Sequence, residues 1–373
     1  MIKSQWSRRQ FLTAVTGTSA AMMLNPLTGW AIDEIDPRVA AIVAATIGID
    51  THNHIDVPLI GAEVPGPTVD MAAEMKKSGL SAICMTFAVD YQKLPNPGDA
   101  YDRFLNGLTS MDKQLALNNI KRSLNLKDLR KAHKKHQPTV IQSVEGAHFL
   151  EGHLERLEVA YKRGLRHLGL LHDASVPLGD VYTNPATFGG LTPFGTEVIK
   201  ECNRLGILVD LAHASPDTVA AALKVTTHPV LVSHTGLDTQ LGNNAGMAKM
   251  MLPRLISKEH AKVIADAGGV IGVWTHLADS PLEYAKNIRA LVDVIGIDHV
   301  AIGTDTKLTS EYRSGGGARR GHGTNEFWQD QKAGFYYTVV DAMLKTGFSE
   351  EEIGKVGGGN FCRVFDAATA GQH

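Results

Sequence analysis

Histidine and carboxylate residues recur in this sequence at the ends of short apolar runs, and that placement suits metal chemistry. His52 and His54 stand two apart after Ile-Gly-Ile-Asp-Thr. Alternate residues of a strand face the same way, so both imidazoles can point to one site, with Asp56 on the same face if the strand continues. His213 follows Ile-Leu-Val-Asp-Leu-Ala, and His234 follows Pro-Val-Leu-Val-Ser. A lone histidine in such a place is more often a hydrogen-bonded structural residue than a ligand. Two on consecutive runs, added to the pair at 52 and 54, favour a metal. Imidazole-rich ligation favours zinc over magnesium. Asp305, after Val-Ala-Ile-Gly-Thr, can bind metal and take a proton from metal-bound water. Glu145 ends another run and suits an anionic bridge between two ions; the alternative is an acidic residue at a helix start. No lysine stands at a run end in the first half of the chain to serve as a carbamylated bridge.

The elements that must position these residues are legible in the same runs. Eight segments rich in Val, Ile and Leu have about strand length: IGIDTHNH, SAICMTF, TVIQSVE, LRHLGLLHD, GILVDLAH, PVLVSH, GGVIGVWTH and HVAIGTD. Seven contain a His, Asp or Glu at their ends, including His172, Asp173 and His276. Most are separated by enough chain for a helix. Strand and helix alternating eight times predict a (β/α)8 TIM-like barrel, whose chemistry sits at the C-terminal ends of its strands. The connection from Ala88 to Gln137 is long and contains an amphipathic pattern around Tyr101–Asn118. The clearest helix follows Thr192-Pro193: proline suits its first turn, Phe194, Val198, Ile199, Cys202 and Leu205 form one stripe, and Gly206 stops it. The stretch 310–323 is rich in Gly and Arg and follows Asp305, which makes it a candidate active-site loop.

Bulk properties bound the alternatives. The chain has 373 residues, 43% hydrophobic and 20% charged, which fits one large soluble barrel with decorations. A net charge of -2 gives no basic face for nucleic acid. Three cysteines cannot build a disulfide framework, and buried unpaired thiols are expected for Cys84, Cys202 and Cys362. Residues 1–31 carry Ser7-Arg8-Arg9-Gln10-Phe11-Leu12, a mildly apolar stretch, and small residues at Gly29 and Ala31. This resembles a twin-arginine export signal, so the export machinery is an expected partner and the periplasm the expected location. A single metallohydrolase domain is expected from residue 32 to 373. No other apolar stretch is long enough to span a bilayer. The sequence leaves oligomeric state open, a homo-oligomer included.

Five stretches resemble the membrane (renal) dipeptidase family, peptidase family M19, of the metal-dependent amidohydrolase superfamily: SVEGAHFLEGHLERL (143–157), GLTPFGTEVIKECNRLGILVDLAHAS (190–215), HPVLVSHTG (228–236), GIDHVAIGTD (296–305) and GGNFCRVF (358–365). The likeness runs from about Asp50 to Ala367. It implies two zinc ions per chain, with Glu145 bridging, His213 and His234 on the second ion, and His52 on the first. It implies Asp305 as general base and His172 and Arg254 as substrate-holding residues. It also implies hydrolysis of a dipeptide, or a related N-acyl amino acid, by a metal-bridging hydroxide. Two departures stand out. The family's first-segment motif is HxD, but here His54 occupies the aspartate's place and Asp56 follows. The eighth segment usually continues DFDG, but here it reads Asp305-Thr306-Lys307-Leu308. Either His54 or Asp56 could complete the first metal site. Two other readings share the barrel: a lactonase or deaminase, and a non-catalytic periplasmic binding protein.

Overall fold

The eight apolar runs form eight parallel strands. The computed structural model describes residues 35–371 apart from 65, 67, 92, 174, 175, 310–322 and 330. The export signal expected in 1–31 lies outside the described residues, as does nearly all of the Gly/Arg-rich loop. In chain order the strands are β1 (Ile49–His54), β2 (Ala82–Thr86), β3 (Lys121–Arg122), β4 (Thr139–Val144), β5 (Leu165–Gly169), β6 (Leu208–Asp210), β7 (Leu231–Thr235), β8 (Val270–Val273), β9 (Val300–Ile302) and β10 (Thr306–Lys307). Every pairing is parallel, in the order β10-β1-β2-β4-β5-β6-β7-β8-β9. The eight expected segments correspond to β1, β2, β4, β5, β6, β7, β8 and β9. Two short additions had no signature of their own: β3 pairs beside β4, and β10 pairs with β1.

The sheet closes because the chain leaving β9 runs onto β1. Asp305 N donates to His52 O at 3.0 Å, and Leu308 N to His54 O at 3.3 Å. Within the barrel Thr51 Oγ1 donates to Ser233 O at 2.6 Å and to Ile302 O at 3.0 Å, tying β1 to β7 and β9. Gly272 and Gly303 make room for this crossing, since a Cβ at either position would overlap the Ser233 carbonyl and Thr51 Oγ1. Helices cover the outside. Pro193–Leu205 has Thr192 as N-cap, proline in its first turn and Gly206 in the left-handed conformation at its end, as expected. The amphipathic segment of the long connection is Asp99–Leu117, and a second helix, Leu126–Lys134, follows it. Cys84, Cys202 and Cys362 are all buried and unpaired. Among the described residues no helix is long and apolar enough to cross a membrane.

Candidate metal centre

Each strand delivers its side chains to the barrel mouth through its last residues. His52 and His54 lie on β1, and His234 on β7. Glu145 and His213 follow the ends of β4 and β6 directly or by three residues, and Asp305 joins β9 to β10. His213 and Asp305 hold positive φ, 66° and 54°. Non-glycine residues in that region carry a backbone cost that tertiary structure must impose, and such residues cluster at functional sites.

Four imidazoles and two carboxylates converge. The Nε2 atoms of His52 and His54 are 3.1 Å apart, and those of His213 and His234 are 3.0 Å apart. Glu145 lies between the pairs. Its Oε1 is 3.0 Å from His213 Nε2 and 3.5 Å from His52 Nε2; its Oε2 is 3.6 Å from His54 Nε2. Asp305 Oδ1 is 3.2 Å from His54 Nε2. Three groups of donors each lie within 4.8 Å: His52, His54 and Glu145; His52, His234 and Asp305; Glu145, His213 and His234. Except for Asp305, all these residues are buried. So many converging lone pairs repel unless a cation lies among them, and Glu145 Oε2 is buried without a hydrogen-bond partner. The donor set therefore fits divalent metal, and its overlap at Glu145 fits two ions.

The Nδ1 atoms of His52 and His234 are held from behind, which leaves their Nε2 for a ligand. Ser233 Oγ lies 2.9 Å from His234 Nδ1 and 3.3 Å from His52 Nδ1. The Tyr91 hydroxyl lies beside both ring nitrogens of His54, 3.2 Å from Nδ1 and 3.3 Å from Nε2. Burial pushes the His234 imidazole down to about 4 and that of His52 well below its usual range, so both are neutral and able to ligate. For Glu145 burial acts upward, but the charge of His172 and the hydrogen bond with His213 outweigh it, and the carboxyl lies well below its usual range.

Two buried aspartates brace the strands beneath. Asp50 accepts from Thr304 Oγ1 at 2.6 Å, Thr304 N at 2.9 Å, Asn53 Nδ2 at 2.9 Å and His52 N at 3.2 Å. Asp210 accepts from Ser233 N at 2.9 Å, Ala212 N at 3.0 Å and His167 Nε2 at 3.1 Å.

The residues expected to hold substrate come from loops. His172 donates through Nδ1 to Asp90 Oδ1 at 2.7 Å, and its Nε2 is 3.4 Å from Glu145 Oε2. Burial opposes its charge, but Glu145 and Asp90 outweigh that and raise it to about 10, so it is a proton donor at neutral pH. Arg254 ends the turn Leu252–Arg254, with Nη2 3.7 Å from Asp173 Oδ1. His276 donates to Asp305 Oδ2 at 2.8 Å.

Asp56 does not join the centre. β1 stops at His54, and Asp56 forms an ion pair with Lys307 of β10. The two departures from the family motifs thus contact each other. A cavity of about 320 Å³ opens beside them, lined by His54, Phe87, Val89 and Tyr91 among others. Sequence reasoning missed Asp90, Tyr91 and Tyr182. Asp90 and Tyr91 follow the second run, which ends in no ligand-type residue, and Tyr182 sits in a loop without an apolar period. His276 was visible as a run-end histidine, but its pairing with Asp305 was not.

Comparisons with known proteins identify the family and the fold. The profile of the membrane dipeptidase family, Peptidase family M19, matches residues 37–373. Dipeptidase 3 of Mus musculus is 31% identical over 231 residues, which is 60% of this chain and 43% of that protein; the chain thus spans less than half the length of the curated relatives it matches. An amidohydrolase from Pseudomonas aeruginosa shares the fold with a TM-score of 0.71 at 24% identity, over 89% of this chain and 99% of that one. A metallo peptidase from Rhodobacter sphaeroides, solved with a phosphinate mimic of the dipeptide L-Ala-D-Ala, has a TM-score of 0.66 at 18% identity, over 87% and 99%. By the extent of the profile match, the chain belongs to the membrane dipeptidase family, peptidase family M19.

Proposed function

We propose that this protein is a binuclear zinc dipeptidase that cleaves dipeptides or related N-acyl amino acids and is exported by the twin-arginine route. The observation that carries the reading is the convergence of His52, His54, His213, His234 and Asp305 around a shared Glu145. When bound, two zinc ions supply a water acidified towards neutrality and polarise the scissile carbonyl. The chain's own residues do the rest. Glu145 lies between the halves of the donor set, with Oε1 near His213 and His52 and Oε2 near His54. Asp305 takes the proton of the attacking water and returns it to the leaving amine; His276 holds its Oδ2 and leaves Oδ1 facing the centre. His172, fixed by Asp90, directs Nε2 inward, where it donates to the carbonyl oxygen as charge develops. Arg254 pairs with the free carboxylate of the C-terminal residue. The Rhodobacter sphaeroides peptidase was solved with a bound phosphinate mimic of a dipeptide.

Elemental analysis at saturating zinc, combined with hydrolysis of a dipeptide and its C-terminal amide, tests the proposal. We expect two ions per chain and rapid cleavage of the acid only. One ion or none rejects the binuclear centre, and an amide cleaved as fast as the acid removes Arg254 from the mechanism. Replacing Arg8 and Arg9 by lysine should trap the protein in the cytoplasm on cell fractionation; unchanged export rejects the twin-arginine route.

A further inference from the structure

Tyr182 has been placed in no role so far, yet it is fixed against the metal centre. Its backbone N donates to His213 O at 3.1 Å, and the neighbouring Val181 bridges to Ala214. Its ring lies nearly parallel to that of His213, 17° apart with centroids at 5.6 Å. The hydroxyl at the far end of this anchored ring is buried and has no hydrogen-bond partner among the described residues. Buried hydroxyls are nearly always paired, because an unmade hydrogen bond away from water is costly. A rigidly held orphan donor in a cleft is a group that a ligand completes.

The surroundings define that ligand. Tyr182 lines a cavity of about 50 Å³ together with His213, His234, Thr235 and Arg254. The phenol hydroxyl can donate one hydrogen bond. The guanidinium of Arg254 can only donate. Its contact with Asp173 Oδ1, at 3.7 Å, is beyond hydrogen-bond length. A guanidinium and a phenol facing one small cavity call for a planar acceptor with two oxygens, which is a carboxylate.

Building on the dipeptidase reading, we propose that the Tyr182 hydroxyl is a second donor to the carboxylate of the substrate's C-terminal residue, beside Arg254. Tyr182 is then a specificity-determining residue, contributed by the loop after β5, while Arg254 comes from the loop after β7.

The test compares Tyr182→Phe with wild type on one dipeptide and its C-terminal amide, with zinc content and thermal melting measured on both proteins. A hydrogen bond to a charged group corresponds to roughly a 10- to 100-fold effect. We expect the acid-to-amide ratio of kcat/KM to fall about 10-fold or more, through KM, with two zinc ions retained. An equal loss on acid and amide overturns the proposal and makes Tyr182 a prop for His213. No loss on the acid overturns it as well. If the wild type itself does not distinguish acid from amide, the carboxylate reading of Arg254 fails and takes this proposal with it. If wild type prefers the acid and the variant keeps that preference in full, the Tyr182 inference alone fails.

Discussion

The centre has two halves built on the same plan, and they differ in what lies beneath them. On one side β1 and the end of β9 bring His52, His54 and Asp305, and buried Asp50 ties the strands together. On the other, β6 and β7 bring His213 and His234 over buried Asp210. Both aspartates accept from backbone amides of the opposing strand. Asp210 also has an imidazole partner, His167, which outweighs the upward push of burial and keeps its carboxyl well below the usual range. Asp50 has only neutral donors, and burial pushes it up to about 6. The β6–β7 half is thus braced by a carboxylate with an imidazole partner, and the β1–β9 half by one held only by amide and hydroxyl donors, in a network that also includes Asn53, Thr304, Thr306 and Thr324. The second half is also where the chain departs from its family, at His54, Asp56 and Lys307.

Four substitutions would break or sharpen this contrast. The largest effect is expected from Asp305→Asn. Both zinc ions should remain, since His52, His54 and Glu145 still form a donor group, while turnover falls by about 10²- to 10⁴-fold, the usual contribution of a general base. Steady-state kinetics near the wild-type rate would show that the proton moves elsewhere. Next in size is the pair of anchor variants. Asp210→Asn strands a buried histidine and should cost about 3–5 kcal/mol in urea unfolding of the zinc-free protein. Asp50→Asn, which disturbs neutral hydrogen bonds, should cost about 1–3 kcal/mol. Equal losses would mean that the two anchors are equivalent after all. The smallest effect is expected from His54→Asp, which restores the family's residue. It should tighten retention of one of the two ions by about 10-fold against a chelator, in line with the reach of single changes around metal sites. Tighter retention of both ions, or of neither, would contradict a local role for His54.

Much of this centre was legible because strands impose a simple rule. A buried parallel strand reads as an apolar run, and its C-terminal end must face the mouth, so a histidine or carboxylate placed there has few other places to go. His52, His213, His234, Glu145 and Asp305 were visible on those terms. Asp56 illustrates the limit of the rule: its alternation with His52 and His54 holds only while the strand lasts, and β1 stops at His54 because Lys307, more than 250 residues away in sequence, captures the next carboxylate. Asp90 and Tyr182 were hidden for a related reason. Loop conformation is set by distant partners, His172 for the one and His213 for the other, and no local period records them. The closing strand β10 escaped notice because two residues are too few to show any pattern.

The seam between β1 and β9–β10 has a consequence for how the protein is made. His52 and His54 leave the ribosome about 250 residues before Asp305 and the Thr304 hydroxyl that locks Asp50. Until that last segment arrives, the barrel is an open sheet whose first strand lacks a neighbour along one edge, the state in which parallel sheets are slow to form and exposed to wrong pairing. The centre therefore comes into being in one late event, when the two ends of the domain meet, and its full set of metal ligands does not exist in any nascent fragment that lacks the end of β9.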